Sequence, residues 1–238
     1  QRQMCIRDSD MAIRLEKGQN SRLDMNIFHV GLGWDVNDDN SGHDFDLDVS
    51  AFLVGTNGKI LSDDYLVFYN SEKRLKVHIS GTNKGELIKP LTIVPSTEWS
   101  DNDDMRQQSR PVDPDISVIG SIDDEDGKTS EDGDDETMDI DLSRVRSEIN
   151  EIVICVSIHK YAERRQNFGQ VGRAYVRLYK PGQAEGEGDY IYELNEDFST
   201  STSVEFCRFY RRNGEWKIQA LGIGHKGGLQ ELLDKYYN

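Results

Sequence analysis

An all-β-dominated fold, a two-sheet β-sandwich with a short C-terminal helix, is what this sequence predicts, and three observations predict it. About ten short segments of strand character recur along the chain, separated by turns that contain glycine or Asn-Gly. Residues 152–158, IVICVSI, are a continuous apolar run rich in β-branched side chains, the mark of a strand covered on both faces. Only residues 229–237, after Gly227-Gly228, have helical spacing, with Leu229, Leu232, Leu233 and Tyr236 on one face.

In chain order, residues 1–10 are polar and aperiodic and are expected outside the fold; Met11-Ala12-Ile13 reads as a start that leads into a first strand. Residues 26–33 read as a second strand feeding an acidic loop, and the stretch 31–50, GLGWDVNDDNSGHDFDLDVS, organises the rest. In Asp44-Phe45-Asp46-Leu47-Asp48 the two-residue period sends three carboxylates to one face and Phe45 and Leu47 to the other. Three adjacent anions repel one another unless a cation sits among them, and hard oxygen ligands suit Ca²⁺ or Mg²⁺ better than a soft metal. A solvated acidic strand face is the competing reading.

Residues 51–54 continue the strand, Thr56-Asn57-Gly58-Lys59 turns, and 65–69 form a returning strand that ends at Asn70. This hairpin is expected to carry Asp63, Asp64 and Asn70 back toward the acidic face. Residues 75–122 read as an insertion: 75–79 and 87–94 as strands of an extended hairpin, then an aperiodic excursion over 95–115 with three of the five prolines and a loop Trp99. Residues 123–141 hold eleven acids in nineteen positions and run into the alternating strand 137–142, which tethers the acidic loop at a strand end. After 152–158, the segments 174–179, 190–194, 204–210 and 216–223 complete the strands.

A total of 238 residues is enough for one full core, and 44 acids against 28 bases give a net charge of −16. That balance argues against sequence-independent nucleic-acid binding, which depends on phosphate neutralisation, and favours cations or basic partners. The apolar runs fall far short of the ~20 residues of a membrane span. Three widely spaced cysteines, Cys5, Cys155 and Cys207, and the lack of a secretory apolar segment make a disulfide framework unexpected and a reducing cytoplasm the expected location. Cys155, inside the apolar run, reads as a core residue.

Several chemistries are excluded by spacing. An EF-hand loop that starts at Asp44 places Val49 and Gly55 where glycine and glutamate must stand, and one that starts at Asp35 places Asn40 and Asp46 there. Zinc is disfavoured because His29, His43, His78, His159 and His225 are scattered and no Cys-x-x-Cys occurs. No Walker loop exists, and Gly31-x-Gly33 alone is too weak to suggest a dinucleotide. A Mg²⁺- or Mn²⁺-dependent phosphoester hydrolase using His43 or His159 lacks a basic cluster to receive phosphate, and His159 reads as structural.

The motifs GLGWD, DFDLDVSAFL, VFYN, EDGDDE, SIHKYAERRQNFGQV, LNEDFSTSTSVEFCRFYRRNGEWKIQALGIG and GGL occur in this order. Together they resemble the TerD family of tellurium-resistance and stress-response proteins, over residues 11–238 apart from the insertion. The resemblance implies a β-sandwich that binds two Ca²⁺ ions in adjacent acidic loops of a bacterial cytoplasmic protein with no established enzymatic activity, possible partners being other stress-response proteins. Carried over position by position, the implied metal ligands are Asp35, Asp44, Asp46, Asp48, Asp63, Asn70, Asp132, Asp134, Asp135 and Glu136. The chain departs from the family pattern at Ser71, where a second asparagine is usual, and at Tyr65, Lys160 and Ser201, where acids are usual. The insertion also displaces a short Asp-Asn-x-Thr-Gly turn, for which Asp126-Gly127-Lys128-Thr129 is an approximate substitute. The alternatives to a Ca²⁺-binding stress protein are the phosphoester hydrolase and a metal-independent acidic interaction module.

Overall fold

Alternation along the strands builds two facing sheets. A computed structural model describes residues 12–36, 45–78, 86–94, 97, 108–122, 134–183, 190–193 and 198–237. The first sheet has the order β1 (Ile13–Leu15), β14 (Tyr190–Glu193), β13 (Val171–Tyr179), β3 (Ile27–Val36), β11 (Glu136–Asp141) and β10 (Val118–Ile119). The second has the order β2 (Asn20–Arg22), β16 (Glu215–His225), β15 (Ser203–Arg212), β12 (Ile149–Ile158), β4 (Leu47–Gly55) and β5 (Leu66–Val67). Neighbours pair antiparallel throughout both, save the parallel β1 and β14.

Between the sheets, the inward residues of β3, Phe28, Val30 and Leu32, meet those of β12, β15 and β4 in one buried cluster. The Phe28 and Phe209 rings cross the gap edge to face, centroids 5.1 Å apart. β12 is covered on both faces, as its continuous apolar run predicts, and it carries Cys155; this thiol and that of Cys207 are fully buried. The outer cover is α2 (Gly228–Tyr236), which buries Leu232 completely and stacks Tyr236 on Phe52. Lys59, from the turn after β4, closes the end of that helix by donating to the carbonyls of Lys235 and Tyr237 at 3.0 and 2.6 Å.

The region expected as an insertion builds a third, smaller sheet. β6 (Arg74–His78) is flanked by β7 (Glu86–Leu87), β8 (Ile93–Val94) and β9 (Ser109–Pro111) around a small core of Leu75, Val112 and Ile119. The stretch 95–115 is therefore not aperiodic throughout, because β9 lies within it, while Trp99 is outside the described residues. Arg110 ties this sheet to the sandwich by donating to Asp139 at 2.8 Å and to the Gly120 carbonyl at 2.6 Å. The strand expected over 65–69 contracts to the two residues of β5. A 3₁₀ turn over Asp63–Tyr65 precedes it, and Ser71 ends it by donating to the Leu66 carbonyl and accepting from the Phe68 N–H.

Candidate functional site

Three strand ends from both sheets meet at one end of the sandwich. β11 pairs with β3 so that Glu136 lies opposite Leu32, which brings the start of β11 to the far end of β3. There the Trp34 N–H donates to Asp135 Oδ2 at 2.8 Å. Glu136 reaches across to the other sheet, where its Oε2 accepts from the Val49 N–H at 3.2 Å. β4 begins beside it, and the period-two expectation holds: Phe45 and Leu47 are in the core, with Asp46 and Asp48 alternating between them. Both carboxylates are sequestered, Asp46 being 7% and Asp48 8% exposed. Asp48 and Glu136 line one small pocket with Tyr69, Ser121 and Met138.

Basic residues of the chain stand over these acids. β12 runs antiparallel to β4 and ends with Ile158 opposite Leu47, so the following residues pass over Asp46. The His159 N–H donates to the Asp46 carbonyl at 2.8 Å, and the ring Nδ1 lies 3.4 Å from Asp48 Oδ2. A one-turn helix, α1 (Tyr161–Arg164), then places Arg164 3.6 Å from Asp46 Oδ2. Lys160 and Arg165, which bracket α1, both adopt the left-handed conformation, with φ of 50° and 55°. Arg164 lies within a motif noted in the sequence, but nothing in its spacing signals a contact with Asp46.

The remaining predicted residues divide. Asp44 and Asp132 lie outside the described residues, as does the side chain of Asp35, whose backbone belongs to β3. Asn70 is exposed and follows Tyr69, whose ring stands edge-on to His159 at 6.0 Å, so it belongs to this end. Asp63 does not. It sits between Ile60, opposite Val54, and Leu66, opposite Phe52, on the Gly55 side of the register. There its charge, after burial, raises the pKa of Tyr237. Asp64 pairs with Lys73 at 2.9 Å. Among the described residues, no group of three His, Cys, Asp or Glu side chains is placed to hold a metal ion.

Asp134 is engaged elsewhere. Its two oxygens accept from Arg177 Nε at 2.6 Å and Nη2 at 2.9 Å, and Oδ1 also accepts from the Tyr175 hydroxyl at 3.2 Å. The two ionic side chains are 0% and 5% exposed. Glycines make the room: a methyl group on Gly31 would fall inside the Asp134 carboxylate, and one on Gly33 inside the Tyr175 ring. Burial opposes the Arg177 charge, but the bonds to Asp134 outweigh it and its pKa is raised. Burial and the Asp134 charge push the Tyr175 hydroxyl up to about 12. The pattern Tyr175-x-Arg177-x-Tyr179, alternating with Ala174, Val176 and Leu178, is the signal that could have found this pair.

The TerD domain profile matches residues 11–88 and 97–236. The uncharacterized protein YceE of Bacillus subtilis is 37% identical over 95% of this chain and 98% of its own length. The tellurium resistance protein TerD of Serratia marcescens is 36% identical over 95% and 97%. General stress protein 16U of Bacillus subtilis is 35% identical over the same shares. Among solved structures, a homologue of the telluride resistance protein TerD from Streptomyces coelicolor A3(2) shares the fold with a TM-score of 0.53 and 16% identity, covering 90% of this chain and 99% of that one. Profile and relatives span nearly the whole chain, and this chain belongs to the TerD family.

Proposed function

We propose that this chain acts in resistance to tellurium compounds and related chemical stress by binding Ca²⁺ at the acidic end of the sandwich, which then presents a metal-dependent interaction surface. The observation that carries the reading is the convergence of Asp46, Asp48, Asp135 and Glu136 from both sheets on one end. Asp44 directly precedes Phe45 and Asp132 lies two positions before Asp134, so further acids enter the chain beside the same anchor points. The donor set is hard oxygen, without cysteine, which fits an ion that takes six to eight oxygen ligands. When bound, Ca²⁺ would supply the central positive charge for Asp46, Asp48, Asp135, Glu136 and the acids of the two loops, with room in the composition for two ions. The relatives named above carry names of resistance or stress-response proteins, which supports the biological context. The ion pair of Arg164 with Asp46 favours a second reading, an acidic module that meets a basic partner without metal.

A thermal melt of chelated protein, repeated with Ca²⁺ and with Mg²⁺ at matched ionic strength, separates the two. At about a hundred times its Kd, one ion adds roughly 2.7 kcal/mol, or about 5–10 °C for a chain of this size. The expected result is a rise with Ca²⁺, little change with Mg²⁺, and loss of the rise in the Asp46→Asn, Asp48→Asn double variant. No shift with any cation would leave the metal-independent module in its place.

A further inference from the structure

Asp134, Asp135 and Glu136 are consecutive, yet each is bonded to a different strand. Asp134 goes to Arg177 and Tyr175 of β13, Asp135 to the Trp34 N–H of β3, and Glu136 to the Val49 N–H of β4 in the opposite sheet. The three bonds differ in kind. Asp135 and Glu136 accept from backbone N–H groups near the end of the sandwich, whereas Asp134 forms a two-pronged ion pair closed off from water. The planar guanidinium fork matches both carboxylate oxygens at once, which a lysine ammonium cannot do. The seat for the carboxylate exists only because Gly31 carries no side chain, and the Tyr175 ring that braces it lies over the bare Gly33 backbone.

We propose that Arg177 is the positioning residue of the acidic end: by clamping Asp134 over Gly31 it fixes the two carboxylates that follow, and Asp134 serves as their anchor and not as a cation ligand. A slip of one residue at the entry to β11 would turn Glu136 away from Val49 and reverse every side chain behind it. With the clamp closed that slip is blocked, and the acidic end is assembled before any cation arrives. The Asp134 carboxylate is fully buried with both oxygens bonded to Arg177, so its part in cation binding is indirect. The cation arm of the test below rests on the Ca²⁺ reading; the exchange arm does not.

The test is amide hydrogen exchange, followed by NMR on the full chain in chelator, with Trp34 and Val49 N–H as reporters and the amides of Val153 and Ile154 in β12 as controls. Arg177→Lys keeps the charge and removes the fork; the paired Asp134→Asn, Arg177→Gln variant removes both charges at nearly constant volume and guards against a lysine variant that fails to fold. In both, exchange at Trp34 and Val49 is expected to speed by about tenfold or more while the β12 controls keep their rates. Unchanged reporters, or an equal acceleration at all four sites, overturns the positioning role. In a Ca²⁺ titration of the same proteins the midpoint is expected to rise by about tenfold in Arg177→Lys. A wild type that takes no Ca²⁺ would sink the metal reading alone, leaving the exchange rates to decide the role of Arg177.

Discussion

Gly31 shows what one missing methyl group does in this fold. Its Cα faces the Asp134 carboxylate, and any side chain there must push the carboxylate off Arg177. Overpacking costs about 1–3 kcal/mol and a broken buried pair about 3–5, so Gly31→Ala should lower the urea midpoint by an amount in that combined range. Wild-type stability in this variant would mean that the clamp yields without cost. Glu205 makes a second residue-scale case, this one set by pH. Its buried carboxylate accepts from Lys235 Nζ at 2.6 Å and from the Tyr236 hydroxyl at 2.7 Å, and lies 2.6 Å from His225 Nε2. Burial alone would raise its pKa, but the bonds from Lys235, Tyr236 and His225 reverse that and the pKa is lowered. A carboxyl with a depressed folded pKa stabilises above its unfolded value, and that contribution is lost as pH falls through the folded one. Acid unfolding curves of Glu205→Gln should accordingly start from lower stability at pH 7 and fall less steeply than wild type below about pH 4.5. Neither residue was legible in advance, since Gly31-x-Gly33 and a single glutamate within a strand gain meaning only from partners far along the chain.

At the scale of elements, α1 is the clearest tension. Left-handed backbone at a residue other than glycine costs about 1–2 kcal/mol, and Lys160 and Arg165 both adopt it to turn α1 over Asp46. Arg165→Gly should therefore stabilise the chain by up to about 1 kcal/mol in a urea titration. On the Ca²⁺ reading, Arg164 and the cation would compete for the Asp46 carboxylate, so Arg164→Gln should lower the Ca²⁺ midpoint in the melt series; an unchanged midpoint would place Asp46 outside the binding set. β12 and α2 were legible because long apolar runs and helical spacing are signals carried by the segment itself. The contraction of β5 was not, because it depends on the Ser71 hydroxyl competing for the backbone groups of Leu66 and Phe68. Asp63 was misplaced for a related reason: the 3₁₀ turn shortens the returning strand and leaves this acid near Tyr237 instead of Asp48.

Across the whole molecule, charge and architecture act together. A net charge of −16 on this chain is self-repulsion that salt can screen within about 10 Å at 0.1 M. NaCl should raise the melting temperature of chelated protein gradually, and Ca²⁺ at equal ionic strength should exceed it; equal effects would reduce the acidic end to general electrostatics. The two-sheet class and the inward faces were readable from period two, but the order of strands was not. Nothing local announces that β1 pairs in parallel with β14, or that β9 to β10 lace a third sheet into the first, because both depend on contacts between distant segments.

The burial of Cys155 and Cys207 has a chemical consequence. Burial pushes the Cys207 thiol up to about 12, and burial with the charge of Glu205 raises Cys155 well above its ordinary value. For Cys207 that leaves on the order of one thiolate in 10⁵ at pH 7, and neither sulfur meets solvent. An electrophile can reach these two atoms only when the strands part, so their rate of oxidation becomes a clock for the opening of β12 and β15.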